Sequence, residues 1–103
     1  MKISVITPCY NEELNVEICA RELAEVFAKS LPDYEYEHIF ADNASTDATL
    51  FKLKAMAAQD KRIKVISNSR NVGSFRNMWN AMKSATGDAV IPFCQPIYKI
   101  HRK

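Results

Sequence analysis

Glycine is almost missing from this sequence. Gly73 and Gly87 are the two in 103 residues, and neither follows the first apolar run. The common phosphate-cradling signatures need glycines there, so G-x-G-x-x-G and G-x-x-x-x-G-K-[ST] find no support, and with them neither does a Rossmann dinucleotide site or a P-loop. Long apolar runs are missing too. Nothing approaches the roughly 18 residues of a membrane-spanning helix, and the opening MKISVIT is too short to read as a signal peptide. The two histidines, His38 and His101, do not assemble into a Ser-His-Asp or Cys-His arrangement, and His38 reads as structural. Three cysteines, Cys9, Cys19 and Cys94, show no metal-ligand spacing and cannot all pair. They read as small buried thiols in a reducing cytoplasm. A net charge of +2 is too small to indicate nucleic acid as a partner. No Asp or Glu occurs after Asp88.

What is present fits a folded domain. Apolar residues make up 48% and charged residues 25%, as in soluble globular chains, and the length allows one small domain or part of a larger one. KISVITP alternates and is β-branched, predicting a strand over 2–7. Val16, Cys19, Ala20, Leu23 and Phe27 recur at helical spacing along 12–30, with Asn11 placed to cap that helix. EYEHIFA predicts a second strand over 35–41. Ser45 or Thr46 is placed to cap a helix over 46–59, with Leu50, Leu53 and Ala57 inward. IKVIS is a third strand over 63–67, a third helix spans 73–85 with Gly87 as its C-terminal cap, and 88–93 is a fourth strand. Met78, Trp79 and Met82 read as packing on the third helix. The order βαβαβαβ predicts an α/β fold with a parallel sheet.

Open parallel sheets bind ligands at the carboxyl ends of their strands, which directs attention to TPCYNEE, ADNASTD and NSRNVGS. In the first, Pro8 stiffens the strand exit, Tyr10 offers a face for a base to stack on, and Glu12 offers an acceptor for a ribose hydroxyl. The plainer reading has Tyr10 covering the sheet edge and Glu12 complementing a helix dipole. In the second, Asp42 ends a buried strand and matches the ring N–H of a base. Asn43 either supports Asp42 or forms an Asx turn, while Ser45, Thr46 and Asp47 read as capping. In the third, Arg70 stands just before a helix N-terminus, where it meets either a phosphate or only solvent.

Taken together, SVITPCYNEE, ADNASTDAT, SRNVGS and SATGDAVIPF resemble the N-terminal half of a family 2 glycosyltransferase of GT-A (Rossmann-like) fold. The resemblance runs from residue 2 to about 93 and is greatest to the dolichol- and polyprenyl-phosphate sugar transferases. It implies a three-layer α/β architecture and a UDP- or GDP-linked sugar as donor. Mg²⁺ or Mn²⁺ is implied for the full-length family, and a membrane lipid phosphate for the acceptor. It places Pro8, Tyr10 and Glu12 around base and ribose, Asp42 at the base, and Arg70 towards the diphosphate. The family's Asp-Asp-Gly-Ser-x-Asp turn appears here with Asn43 for its second acid and Ala44 for its glycine.

In that family the fourth strand delivers an acid pair that holds the metal against the leaving diphosphate. Here Phe93 is followed by Cys94, Gln95 and Pro96 and then by a tail ending in His101, Arg102 and Lys103. Residues 1–93 thus read as a partial nucleotide-sugar-binding domain and 94–103 as a divergent basic tail, which either blunts the edge of the fourth strand or, the favoured reading, is out-of-frame translation. The expectation is a cytoplasmic chain that is truncated before the metal-binding acids and lacks the general base. It binds no metal by itself, does not transfer sugar alone, and self-associates through an exposed fourth strand. Two other readings exist: a non-catalytic nucleotide-binding or partner module, and a receiver-like domain phosphorylated at Asp42. The second is opposed by Thr7 and Pro8, which stand where paired acids are needed.

Overall fold

The computed structural model describes residues 1–93. Cys94 and the basic tail lie outside them. The elements are β1 (Lys2–Cys9), α1 (Val16–Ser30), β2 (Glu35–Asp42), α2 (Thr49–Gln59), β3 (Ile63–Ser67), α3 (Ser74–Lys83) and β4 (Ala89–Pro92). All pairings are parallel and the strand order is β3-β2-β1-β4. The chain therefore steps outward from β1 to β3, then returns to place β4 on the other side of β1.

Strand alternation divides the core into two faces. On one, Ile3, Val5, Cys9, Tyr36 and Phe40 meet Val16, Cys19, Leu23 and Phe27 of α1 and Leu53 of α2. On the other, Ile6, Ile39 and Ala41 meet Ala81 of α3, with Met78 and Ile66 half-buried beside them. Helices thus cover both faces, giving three layers. β1 and β2 are central and buried on both sides.

Glu37 and His38 are buried side by side in the middle of β2. Glu37 accepts hydrogen bonds from Ser4 Oγ at 2.5 Å and from Thr86 N–H at 2.7 Å, and it pairs with Lys64. Burial works to raise its pKa, but the Lys64 contact and the Ser4 and Thr86 hydrogen bonds outweigh that and bring it down to about 2. His38 shares a 2.8 Å hydrogen bond with Thr7 Oγ1 and stacks on Phe40. Burial lowers its pKa to about 3, with only partial opposition from Asp60, so the imidazole is neutral and structural.

Several local expectations are corrected. α1 begins at Val16 rather than residue 12, because Asn11 takes a left-handed φ of 54° and spends its side chain on Thr46 across the loop. α2 begins at Thr49, and neither Ser45 nor Thr46 caps it. Asp47 Oδ1 instead accepts from the Thr49 N–H at 2.9 Å, and Glu13 Oε1 accepts from the Ala48 N–H at 3.1 Å. Gly87 is not the cap of α3, whose C-cap is Ser84. A Cβ at Gly87 would lie 2.6 Å from Ser4 Oγ and 2.8 Å from the Lys2 carbonyl, so glycine is required where β4 docks onto β1. Trp79 and Met82 are not packing residues: they are 53% and 44% exposed on the outer face of α3. Cys9 and Cys19 are buried free thiols, as expected.

Candidate functional site

The register Cys9↔Asp42 sets the carboxyl ends of β1 and β2 side by side, and β4 pairs with β1 on the opposite edge. The loops that leave this end are joined to one another. Asn11 N–H donates to Ser45 Oγ at 2.9 Å, Ser45 Oγ donates to Asp42 Oδ1 at 2.5 Å, and Glu12 N–H donates to Thr49 Oγ1 at 2.8 Å. Asn11 Oδ1 accepts from the Thr46 N–H at 2.8 Å. The first and second loops are thereby one unit, and Ala44, at φ 61°, makes the tight turn between Asp42 and Ser45.

Between this unit and the start of α3 opens a cleft of about 210 Å³. Its walls include Pro8 from the end of β1, Tyr10 and Glu12 from the first loop, Asn43 from the second, and Asn77 from α3. Tyr10 is 47% exposed, so its ring is available to a ligand. Glu12 Oε1 accepts from Asn15 Nδ2 at 3.0 Å, which fixes the carboxylate at the rim.

Of the five residues singled out in the sequence, Pro8, Tyr10 and Glu12 come together on this cleft. Asp42 is buried beneath its edge, with its carboxylate turned to the Ser45 N–H and hydroxyl. Arg70 is exposed on the neighbouring loop and does not line the cleft. Asn43 does neither of the things expected of it. Its N–H donates to the Cys9 carbonyl and its carboxamide reaches into the third loop. Asn68 and Asn77 were not singled out. The available signal was Asn77 itself, a polar residue on the inward stripe of α3 between Gly73 and Ala81.

Larger hollows lie elsewhere. One of about 380 Å³ opens at the far end of the sheet beside Phe27, Tyr36 and Arg62, where Arg62 is already held by Asp60 at 3.1 Å. Another, of about 560 Å³, runs over the exposed face of α3. Neither of these two lies at the carboxyl ends of the strands, where ligands of open parallel sheets bind; a third, of about 460 Å³, lies on the outer side of the joined loops beside Asn11, Glu13, Leu14, Asn15 and Asp47.

The metal implied by the resemblance finds no fit among the described residues. No three His, Cys, Asp or Glu side chains gather there closely enough to hold an ion. Asp42 is occupied by Ser45, and burial raises the Cys9 and Cys19 thiols well above their ordinary range. The position where the family's acid pair is expected, after Phe93, lies outside the described residues.

Residues 4–93 match the family described as Glycosyl transferase family 2. The chain belongs to that family. It is 36% identical over 92 residues to the prophage bactoprenol glucosyl transferase homolog of Escherichia coli (strain K12), covering 89% of this chain and 29% of that protein. To the bactoprenol glucosyl transferase of Shigella phage SfX it is also 36% identical over 92 residues, covering 89% of this chain and 30% of the other. Among solved structures it resembles S. aureus TarS 1-349 in complex with UDP, at 30% identity and a TM-score of 0.75, covering 91% of this chain and 27% of that one. A second likeness is to the mannosyltransferase PcManGT from Pyrobaculum calidifontis in complex with GDP-Man and Mn²⁺, at 25% identity and a TM-score of 0.66, over 85% of this chain and 25% of that one. The α/β architecture is that of the N-terminal half of a GT-A glycosyltransferase. The chain spans under a third of the length of the curated relatives it matches. No helix among the described residues is long and apolar enough to cross a membrane.

Proposed function

We propose that this family 2 chain binds the nucleotide part of a UDP- or GDP-linked sugar in the cleft at the carboxyl ends of β1 and β2. The observation that carries the proposal is the convergence of Pro8, Tyr10 and Glu12 on that cleft. In the neighbouring solved structures the bound molecules are UDP and GDP-Man. Tyr10 stacks on the base. Glu12, held by Asn15, accepts from a ribose hydroxyl. Asp42 keeps its turn in shape through Ser45 and offers its remaining lone pairs to a base N–H. Arg70 reaches from the adjoining loop towards the diphosphate.

In the whole protein this binding serves glycosyl transfer, with a lipid phosphate as the acceptor suggested by the bactoprenol-acting relatives. The described residues supply recognition of the donor. The reading places the chain in the cytoplasm, and the half-exposed outer edge of β4 is where isolated chains associate.

Calorimetric titration with UDP and GDP, with and without Mn²⁺, tests this reading. Tyr10→Ala is expected to weaken binding by about 1–3 kcal/mol, and Asp42→Ala to weaken it measurably. Unchanged titrations for both variants would remove the cleft from consideration.

A further inference from the structure

We infer that Asn43 is the positioning residue of this cleft, holding the Asn68–Gly73 segment so that Arg70 is presented to the diphosphate; the inference rests on the nucleotide-binding reading above. Both ends of the Asn43 side chain are committed to that segment. Its Nδ2 donates to Asn71 Oδ1 at 3.0 Å, while its Oδ1 accepts from Asn68 Nδ2 at 3.1 Å and from the Val72 N–H at 2.9 Å. The contacts continue outward. Asn68 Nδ2 also donates to Asn77 Oδ1 at 2.8 Å, Asn77 Nδ2 donates to the Ala41 carbonyl at 2.9 Å, and Asn71 Oδ1 accepts from the Gly73 N–H at 2.9 Å. The backbone adds the Asn68 N–H to the Asp42 carbonyl and the Asn43 N–H to the Cys9 carbonyl, both at 2.9 Å.

Asn43 is therefore tied to the ends of β1 and β3, to the start of α3, and to both neighbours of the residue pair Ser69–Arg70. Asn43 and Asn77 are nearly fully buried and also line the cleft, so the network forms the floor on which a ligand would rest. Arg70, anchored on either side by Asn68 and Asn71, leaves its own side chain exposed, and no ion pair among the described residues involves it. A fixed backbone with an uncommitted guanidinium is the arrangement that loses least freedom when an anion arrives.

The chemistry also explains why an amide stands where the resemblance expects an acid. A carboxylate at 43 has no donor for Asn71 Oδ1 and would set two acceptor oxygens against each other. Asn43 is suited to Asn71 in a way that aspartate is not, and Asn43→Asp is disfavoured in this chain.

The test is a double-mutant cycle read by nucleotide affinity, with UDP and GDP as the probes. Asn71→Ala, at an exposed position, removes one arm of the network with little risk to folding; Asn43→Ala removes its centre. Each is expected to weaken binding about fivefold in the wild-type background and by clearly less once Arg70→Ala is present, with Asn71→Ala, which does not line the cleft, having no further effect there. Losses that multiply with Arg70→Ala, or an Asn71→Ala chain that binds as the wild type does, would overturn the inference while leaving the binding site intact. Absence of nucleotide binding by the wild-type chain would overturn the reading beneath it, and this inference with it.

Discussion

At the scale of single residues, two buried titratable groups set how the fold answers to acid. His38 is neutral in the folded chain, with a pKa lowered by burial to about 3, whereas an unfolded chain protonates it below about 6.5. The unfolded state therefore binds more protons between those values, and stability falls as pH drops from about 6.5 towards 3, by up to about 1.4 kcal/mol per pH unit. Glu37 acts lower down. Burial opposes its ionisation, but Lys64, Ser4 and Thr86 hold its carboxyl at about 2. Its contribution is complete above the unfolded carboxylate range and lost as pH falls from about 4.5 to 2. Urea unfolding across pH should show both steps, and His38→Gln, which can keep a hydrogen bond to Thr7, should flatten the upper one. An unchanged slope in that variant between pH 6.5 and 4.5 would contradict the assignment.

Ala44 carries a second residue-level expectation. It holds a left-handed φ of 61° at the position where the resemblance expects glycine, and a side chain there is strained by about 1 kcal/mol. Ala44→Gly should raise the denaturant midpoint by a corresponding fraction without altering the m-value; a drop in midpoint would show that the turn is not strained. The placement of Pro8, Tyr10 and Glu12 at the carboxyl end of β1 was legible in the sequence, because the strand pattern runs out there. Asn43, Asn68 and Asn77 were not, because their function is a set of contacts between three loops, and no local pattern encodes which amide meets which.

At the scale of elements, every strand and helix was legible in type and order, since apolar periodicity in a buried sheet is a strong local signal. Helix starts were less so. Asn11, Ser45 and Thr46 all look like capping residues, but each has a better partner across the loop, and tertiary contacts moved both helix starts three or four residues along. Trp79 was misread for a related reason: its spacing along α3 fits an apolar stripe, but the stripe of Phe75, Trp79 and Met82 faces outward while Asn77 and Ala81 face the sheet. β4 is the element with least cover. It pairs with β1, and Val90 and Ile91 are 39% and 46% exposed. Sedimentation of the 103-residue chain should show concentration-dependent association that Val90→Lys, a charge on that edge, reduces. A monomer at all concentrations would remove β4 as an association edge.

At the scale of the whole molecule, the strand order places β4 beside β1, and the cleft opens next to that reversal, where parallel sheets bind ligands. The order follows from contacts far apart in sequence, such as Gly87 against Ser4 and Thr86 against Glu37, which is why the sequence predicted a parallel sheet without its arrangement. The account's central claim is that the nucleotide sits at this end of the sheet. Amide chemical shifts followed during titration with UDP and GDP test it most directly. The account predicts changes concentrated in residues 9–13, 42–45 and 68–74, three stretches joined in space by the loop contacts. Changes centred instead on Leu31–Tyr36 and Arg62 at the opposite end, or no changes at all, would contradict it.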